Sequence, residues 1–398
     1  MDAASPPLDL ILMPGLAFDK ALSRLGHGKG YYDRFISTYS IALSQSQKNC
    51  GPTKMPALYA LSLTEQILPL SALPTADHDW PLDDLWNECW VVTNPDAKIG
   101  RRGKTISPSP LKVLAQALKL PNATVPPKDI GLRNWEVPLP FQNETSGPNV
   151  LVTASFGRII PASILRLFRK EHRLNVHPSL LPLYRGPAPI QHAIADGAST
   201  TGVTISTINP FKYGVDAGDI WNAQTMEIPL NTTFDTFSQT LADVGGKLLL
   251  DTLRSMSTGT ARSIKQNDSK ATSAPFVKRD FMEIDWNSWD ACKLDRRHRA
   301  ASHQYALRAL LPYGPTLQLQ QLSIHLGSQH KKLSEPGDAI FDLTSQSIII
   351  QCANKTQVSV THLQQENKRV LSALDFWNGI RPEGLHNGIL KLGSILGK

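Results

Sequence analysis

The sequence predicts an α/β protein in which a doubly wound parallel sheet is followed by a small antiparallel β-barrel. Through the middle of the chain, short apolar runs such as NVLVTASFG (149 to 157), RLNVHPS (173 to 179) and GVTISTI (202 to 208) alternate with stretches of helical spacing, the rhythm of βα units. From about residue 262 the texture switches to short strands and turns, among them PTLQLQQLSIHLGS, GDAIFDL, SIIIQCA and QVSVTHL, the pattern of a small closed antiparallel fold. A length of 398 residues leaves room for two or three such bodies.

The elements follow in order. LDLILMP, residues 8 to 14, is a short apolar run stopped by Pro and Gly, as a buried strand would be. The glycine loop RLGHGKGYYDRF (24 to 35) comes next, YYDRFISTYSIAL reads as a helix, and PALYALSL (56 to 63) as a second strand. After the acidic stretch TADHDWPLDDLWNE, CWVVTN reads as a strand, NPDAKIGRRGKTISPSP as a basic loop bearing Gly and Pro, and LKVLAQALKL as an amphipathic helix. Phe234 to Leu253 is apolar at helical spacing and reads as a closing helix. Domain boundaries are expected at 1–88, 89–261 and 262–398.

Composition narrows the class. No apolar run approaches the roughly 18 residues of a membrane span, so no membrane partner is expected. A formal charge of +7 tilts the partners toward something acidic, such as nucleic acid or a phosphorylated cofactor. Cys50, Cys89, Cys292 and Cys352 lie far apart with no CxxC pair, which argues against a zinc site and a disulfide framework and for a reduced compartment. The opening MDAASPPLDLILMPG carries no pattern of a signal or transit peptide.

The most specific chemical signal is LNVHPSLLPLYRGPAPIQHAI, 174 to 194. Asn175 and His177 stand two apart at the end of an apolar strand, so their side chains leave one face. Strand ends are where open α/β sheets hold ligands. Asp216 follows in GVDAGDI, between Gly214 and Gly218, on a loop supple enough to return a carboxylate to the imidazole. Such a trio suits transfer of a carbonyl group to an amine. Asn175 and a protonated His177 donate to the oxyanion, while Asp216 holds His177 charged and takes a proton from the attacking nitrogen through water. On spacing alone, two satisfied polar groups at a strand end and a turn aspartate are the simpler reading.

The surrounding words add a resemblance. NVHPSLLPLYRGPAPIQ, TGVTI and VDAGDI, with VTASFGRIIP, MEIDW and RVLSALDFWNG, resemble the formyltransferase family, in particular its methionyl-tRNA formyltransferases, from about residue 90 to 385. The resemblance implies that Asn175, His177 and Asp216 are catalytic and that Ser179, Leu180, Leu181 and Pro182 line a folate pocket. It also implies 10-formyltetrahydrofolate as formyl donor, initiator methionyl-tRNA as acceptor and a monomer. By the same comparison Lys98, Arg101, Arg102 and Lys104 of PDAKIGRRGK match an insertion that grips the tRNA acceptor stem, although an isolated loop of this kind reads as well as a solvated charged turn. A second basic cluster, KLDRRHRAASH (293 to 303), continues that track or is a helix with a solvated basic face. Eukaryotic members of the family usually work in mitochondria and bacterial ones in the cytoplasm.

The N-terminal segment resembles something else. DLILMPGLAFDKALSRLGHGKGYYDRF, continued by ALSLTEQILP and PTADHDWPLDDL, resembles the C-terminal half of 5-formyltetrahydrofolate cyclo-ligase up to about residue 88. That resemblance implies an ATP phosphate loop of Arg24, Gly26, Gly28, Lys29, Gly30 and Tyr31, with Asp33 and Asp79 as Mg²⁺ carboxylates. Only half of that enzyme is matched, and the strand, glycine turn and helix with which formyltransferases begin are missing before Cys89. Three explanations stand: a composite of two neighbouring folate genes, a natural fusion with decayed cyclo-ligase function, or LDLILMPG inserted as a surrogate first strand. The functional reading is methionyl-tRNA formyltransferase, with an ATP-dependent cyclo-ligase and an inactive RNA-binding product as alternatives.

Overall fold

The computed structural model describes residues 10–14, 59–60, 88–99, 105–142, 149–327, 330 and 332–395. They fall into two units. The first comprises Met1–Ile190, Ser199–Ile228 and Asp235–Phe276, and the second Gln191–Ala198, Pro229–Phe234 and Val277–Lys398.

The first unit is built on an eight-stranded sheet. Its strands are β1 (Leu10–Pro14), β2 (Tyr59–Ala60), β3 (Cys89–Thr93), β6 (Asn122–Thr124), β7 (Val150–Ala154), β8 (Arg173–His177), β9 (Thr200–Thr207) and β10 (Ile220–Glu227). They lie in the order β10-β9-β8-β7-β1-β3-β2, with β6 also paired to β3. The apolar run at the start of the chain therefore takes the central slot. Leu10 pairs with Cys89 on one side and Val150 on the other, and Leu12 with Val91 and Val152, both in parallel register. This is the surrogate-strand arrangement, and it gives β3 and β7 a hydrogen-bonding neighbour where a gap would strand their backbone groups.

The expected parallel sheet holds from β2 to β8. Beyond it β9 runs against β8, with His177 opposite Thr204 and Leu174 opposite Thr207, and against β10 as well. The reason is the connection. Residues 178 to 199 leave β8 at the edge where His177 stands and re-enter at that same edge, whereas a parallel crossover must carry the chain back to the opposite end. Alternating apolar spacing reports a strand but not its direction.

All five residues of β7 are buried. On one side of the sheet a cluster that includes Val92, Phe141, Leu151, Phe156, Ile164 and Phe168 forms a continuous core. Helix α1 (Pro110–Ala117) starts with proline in its first turn, where no amide is needed, and buries Leu111, Leu114 and Ala115. Short α2 (Ala162–Leu165) and α3 (Pro189–Asp196) follow. The expected closing helix is α4 (Phe234–Ser257). It buries Leu241, Leu248, Leu249 and Leu253 and approaches the sheet closely at Gly245, where an added Cβ would stand 2.9 Å from Val176 Cγ1.

The stretch read as a basic loop forms a hairpin instead. β4 (Ala97–Ile99) and β5 (Thr105–Ser107) pair antiparallel, with Lys98 opposite Ile106. An ion pair between Lys112 Nζ and Asp96 at 2.9 Å joins its base to α1. Glycine and charge pointed to a loop, but β-branched Ile99, Thr105 and Ile106 favour extended backbone.

In the second unit α5 (Ala291–Ala301) begins at Asp290, whose carboxylate accepts from Lys293 N at 2.8 Å. Strands β11 (Leu307–Leu310), β12 (Thr316–Ile324), β13 (Asp338–Asp342), β14 (Ser347–Gln351), β15 (Gln357–Gln365), β16 (Val370–Ser372), β17 (Leu385–His386) and β18 (Ile389–Lys391), with α6 (Ala373–Asn378), complete it. The sheet is antiparallel throughout its pairings, in the order β11-β12-β15-β14-β13-β18-β17. Reciprocal hydrogen bonds of 2.9 and 2.8 Å between Leu310 and Gly393 tie β11 to the chain just after β18, curling the sheet on itself. Trp286, Leu294, Leu317, Leu319 and Ile350 fill its interior.

Candidate active site

Strand β8 alternates its side chains, so Leu174 and Val176 enter the core while Asn175 and His177 emerge on the other face at the strand's C-terminal end. Parallel pairing sets Thr153 of β7 beside Asn175. Thr153 Oγ1 donates to Asn175 Oδ1 at 2.6 Å, which turns the amide nitrogen toward Asp216, where Nδ2 donates to Oδ1 at 3.2 Å. One N–H of that nitrogen stays available for an incoming carbonyl oxygen.

His177 is buried, with 4% of its surface exposed. Its Nε2 lies 3.0 Å from the carbonyl of Tyr184, which can only accept, so the proton sits on Nε2. Nδ1 faces Asp216 Oδ2 at 3.7 Å, too far for a hydrogen bond and close enough for a strong charge interaction once the ring is protonated. Asp216 takes the left-handed backbone conformation, φ 51°, and its Oδ2 accepts from Gly186 N at 2.9 Å. The three side chains thus meet at one strand end. The Asn175 N–H as donor to a developing oxyanion, a charge partner for imidazolium and a proton acceptor stand within a few ångströms, as transfer of an acyl group to an amine requires; His177, expected to donate as well, has Nε2 turned to Tyr184 O and Nδ1 to Asp216 and so acts through its charge.

The segment Ser179 to Pro182 divides into two roles. Ser179 is fully buried and donates to Leu183 O at 2.7 Å, and Leu181 is buried with its amide on Thr204 Oγ1 at 3.1 Å. The Ser179 hydroxyl and the Leu181 backbone amide hold the loop in shape, which leaves Leu180 and Pro182 as the members with accessible surface. Leu180 rests on Gly202, where an added Cβ would come 2.7 Å from Leu180 Cδ2.

Of the basic hairpin residues, Lys98 lies on β4, and Arg101, Arg102 and Lys104 lie outside the described residues. So do Arg24, Gly26, Gly28, Lys29, Gly30, Tyr31, Asp33 and Asp79 of the nucleotide-loop reading. Among the described residues no group of three or more His, Cys, Asp or Glu could hold a metal ion, and no helix is long and apolar enough to cross a membrane.

The second basic cluster forms a helix whose cations are engaged by the fold itself. Arg297 lies over the Phe281 ring at 3.8 Å and donates to Phe281 O at 2.7 Å; Arg299 pairs with Asp295 at 2.7 Å and donates to Thr232 O; Arg296 donates to Ala195 O. Lys293 stands 4.9 Å from the centre of the Trp289 ring. Charge pattern alone could not reveal these aromatic and carbonyl partners. Sequence reasoning also passed over Thr153, Tyr184 and Gly186, although the last two sit inside the quoted word LYRGPAP.

Comparison with known proteins places these features in context. Residues 83–253 match the formyl transferase family, residues 277–381 its C-terminal domain, and residues 2–88 the 5-formyltetrahydrofolate cyclo-ligase family. A methionyl-tRNA formyltransferase of Staphylococcus aureus (strain MW2) is 33% identical over 294 residues, 73% of this chain and 88% of the relative. One from Geobacillus sp. (strain WCH70) is 33% identical over 318 residues, 78% and 92% of the two chains. Among solved structures, the sugar 3N-formyl transferase WlaRD, crystallised with dTDP and 5-N-formyl-tetrahydrofolate, superposes with a TM-score of 0.50 at 14% identity, covering 90% of this chain and 99% of that one.

Proposed function

The chain belongs to the formyl transferase family, and from that premise we propose that it moves the formyl group of 10-formyltetrahydrofolate onto the amino group of initiator methionyl-tRNA. The observation that carries the chemistry is the convergence of Asn175, His177 and Asp216. The amine attacks the formyl carbon, and the carbonyl oxygen, gaining charge, takes the free N–H of Asn175. Asp216 receives a proton from the attacking nitrogen through water, and protonated His177 supports the charge on the intermediate. The C–N bond to the folate then breaks, and its nitrogen takes back, through water, the proton that Asp216 received, which restores the carboxylate. Leu180 and Pro182 supply apolar surface for the donor beside the reacting carbon.

For the acceptor, the support is the naming of the 33% identical relatives and the net charge of +7. Arg101, Arg102 and Lys104, which stand between β4 and β5 in the sequence, are the candidate phosphate contacts. The test is formylation of charged initiator tRNA by the purified full chain with 10-formyltetrahydrofolate, alongside an amino-sugar nucleotide acceptor. Transfer to methionyl-tRNA is expected. Transfer to the sugar alone would overturn the acceptor assignment. Arg102→Ala should weaken tRNA use and flatten its salt dependence by about one unit of log–log slope, with donor affinity unchanged.

The match of residues 2–88 to the cyclo-ligase family favours a second activity, consumption of 5-formyltetrahydrofolate with ATP and Mg²⁺. The absence of any ATP-dependent consumption of 5-formyltetrahydrofolate by the purified chain would exclude it.

A further inference from the structure

We propose that Gln266 is a positioning residue that locks the Asp216 turn into its reactive geometry, an inference that rests on the formyl-transfer reading of the site. Gln266 lies between the two stretches matched by the formyl transferase models, 83–253 and 277–381. Its half-buried amide is fully engaged. Nε2 donates to the carbonyl of Asp216 at 2.8 Å and to that of Gly218 at 2.7 Å, so both its hydrogens hold one turn. Oε1 accepts from Arg185 Nε at 3.0 Å and Nη2 at 2.6 Å.

The position of Arg185 gives this bridge its meaning. Tyr184, its predecessor, supplies the carbonyl that holds His177 Nε2, and Gly186, its successor, supplies the N–H that holds Asp216 Oδ2. One glutamine amide therefore ties the segment that orients the imidazole to the turn that presents the carboxylate. That turn needs a tie. Asp216 sits at φ 51°, where a side chain other than glycine's is disfavoured, and a single such residue persists when its surroundings over-determine it. On the far side, Gly218 stands so close to Thr207 O that an added Cβ would lie 1.8 Å away, which fixes the other end of the turn against β9.

The amide is required here because the two groups facing Nε2 are both acceptors while the group facing Oε1 is a donor. A glutamate would keep Arg185 yet set an acceptor against two carbonyls. Gln266→Glu is thus close in size and breaks one side of the bridge. It should lower kcat by roughly ten- to a hundredfold, as small misplacements of reacting groups do, with KM for both substrates within about twofold of wild type. Crystal structures of the two proteins should show the Asp216 Oδ2 to Gly186 N contact opened beyond 3.5 Å in the variant. Asp268→Asn, which touches only the exposed end of the Arg185 ion pair, should leave kcat unchanged.

Unchanged kcat in Gln266→Glu, or a variant structure whose Asp216 turn has not moved, would overturn the assignment. So would a rise in both KM values at constant kcat. A wild-type chain that formylates nothing would sink the functional reading instead, and the pair of structures would still decide the clamp.

Discussion

Asp216→Asn is the sharpest probe of the trio, because the two carboxylate oxygens have different donors. Oδ1 accepts from Asn175 Nδ2 and Oδ2 from Gly186 N. An asparagine can present its oxygen to one of them only, and whichever way the amide turns, its NH₂ meets a second donor. The side chain has little freedom to escape, with 16% of its surface exposed. One unsatisfied donor costs about 1–3 kcal/mol, borne by the turn. The larger loss is electrostatic. The protonated His177 ring faces Asp216 at 3.7 Å, and at an effective dielectric near 20 that interaction is worth about 4 kcal/mol. Removing it lowers the rate by roughly a thousandfold. The assay is single-turnover formylation of methionyl-tRNA at saturating donor, with donor affinity measured separately and expected to stay within about threefold. An Asp216→Asn enzyme retaining a tenth of wild-type activity would refute both the charge pairing and the proton-acceptor role.

Three further outcomes follow from the geometry. Thr153→Val removes the hydroxyl that fixes the Asn175 amide; a net loss near 1 kcal/mol should lower kcat about fivefold, and an unchanged kcat would show that Asn175 is oriented by Asp216 alone. Leu12→Pro deletes an amide hydrogen from a strand paired on both sides; at about 3 kcal/mol the melting temperature should drop by roughly 6–12 °C, and an unaltered melt would remove Leu10–Pro14 from the sheet centre. His303 is stacked on Phe234 with Nε2 buried and unbonded, and burial pushes its pKa from 6.5 to about 3. Below pH 6.5 the unfolded chain binds a proton that the folded ring refuses, so stability falls as pH drops from 6.5 toward 3, by up to about 1.4 kcal/mol per unit. His303→Phe keeps the stack and should flatten the fall in melting temperature between pH 7 and 5; an equal fall in both proteins would assign the pH dependence elsewhere.

How much of this was legible in the sequence depends on how far apart the cooperating residues lie. Asn175 and His177 could be read because strand alternation acts over two residues, and Asp216 because glycines flank it. Thr153 was hidden: only the register of β7 against β8 brings it to Asn175, and register is set by long-range pairing. The same limit applies to the sheet centre. LDLILMP read as a buried strand from composition, but its slot between β3 and β7 follows from which edges needed a partner. Charge was incomplete for a different reason. In the second basic cluster the sequence shows cations but not the Phe281 and Trp289 rings beneath them, and a cation over an aromatic face binds the fold together while looking, in one dimension, like a free surface. Gln266 is the extreme case. It titrates nothing, binds no metal and lies 50 residues beyond Asp216, so no local pattern marks it. Its part in the site emerges only when two carbonyls of the Asp216 turn and the Arg185 guanidinium are seen to converge on one amide. Chemistry at this strand end is written in short words, whereas the alignment of that chemistry is written in contacts the chain makes only after folding.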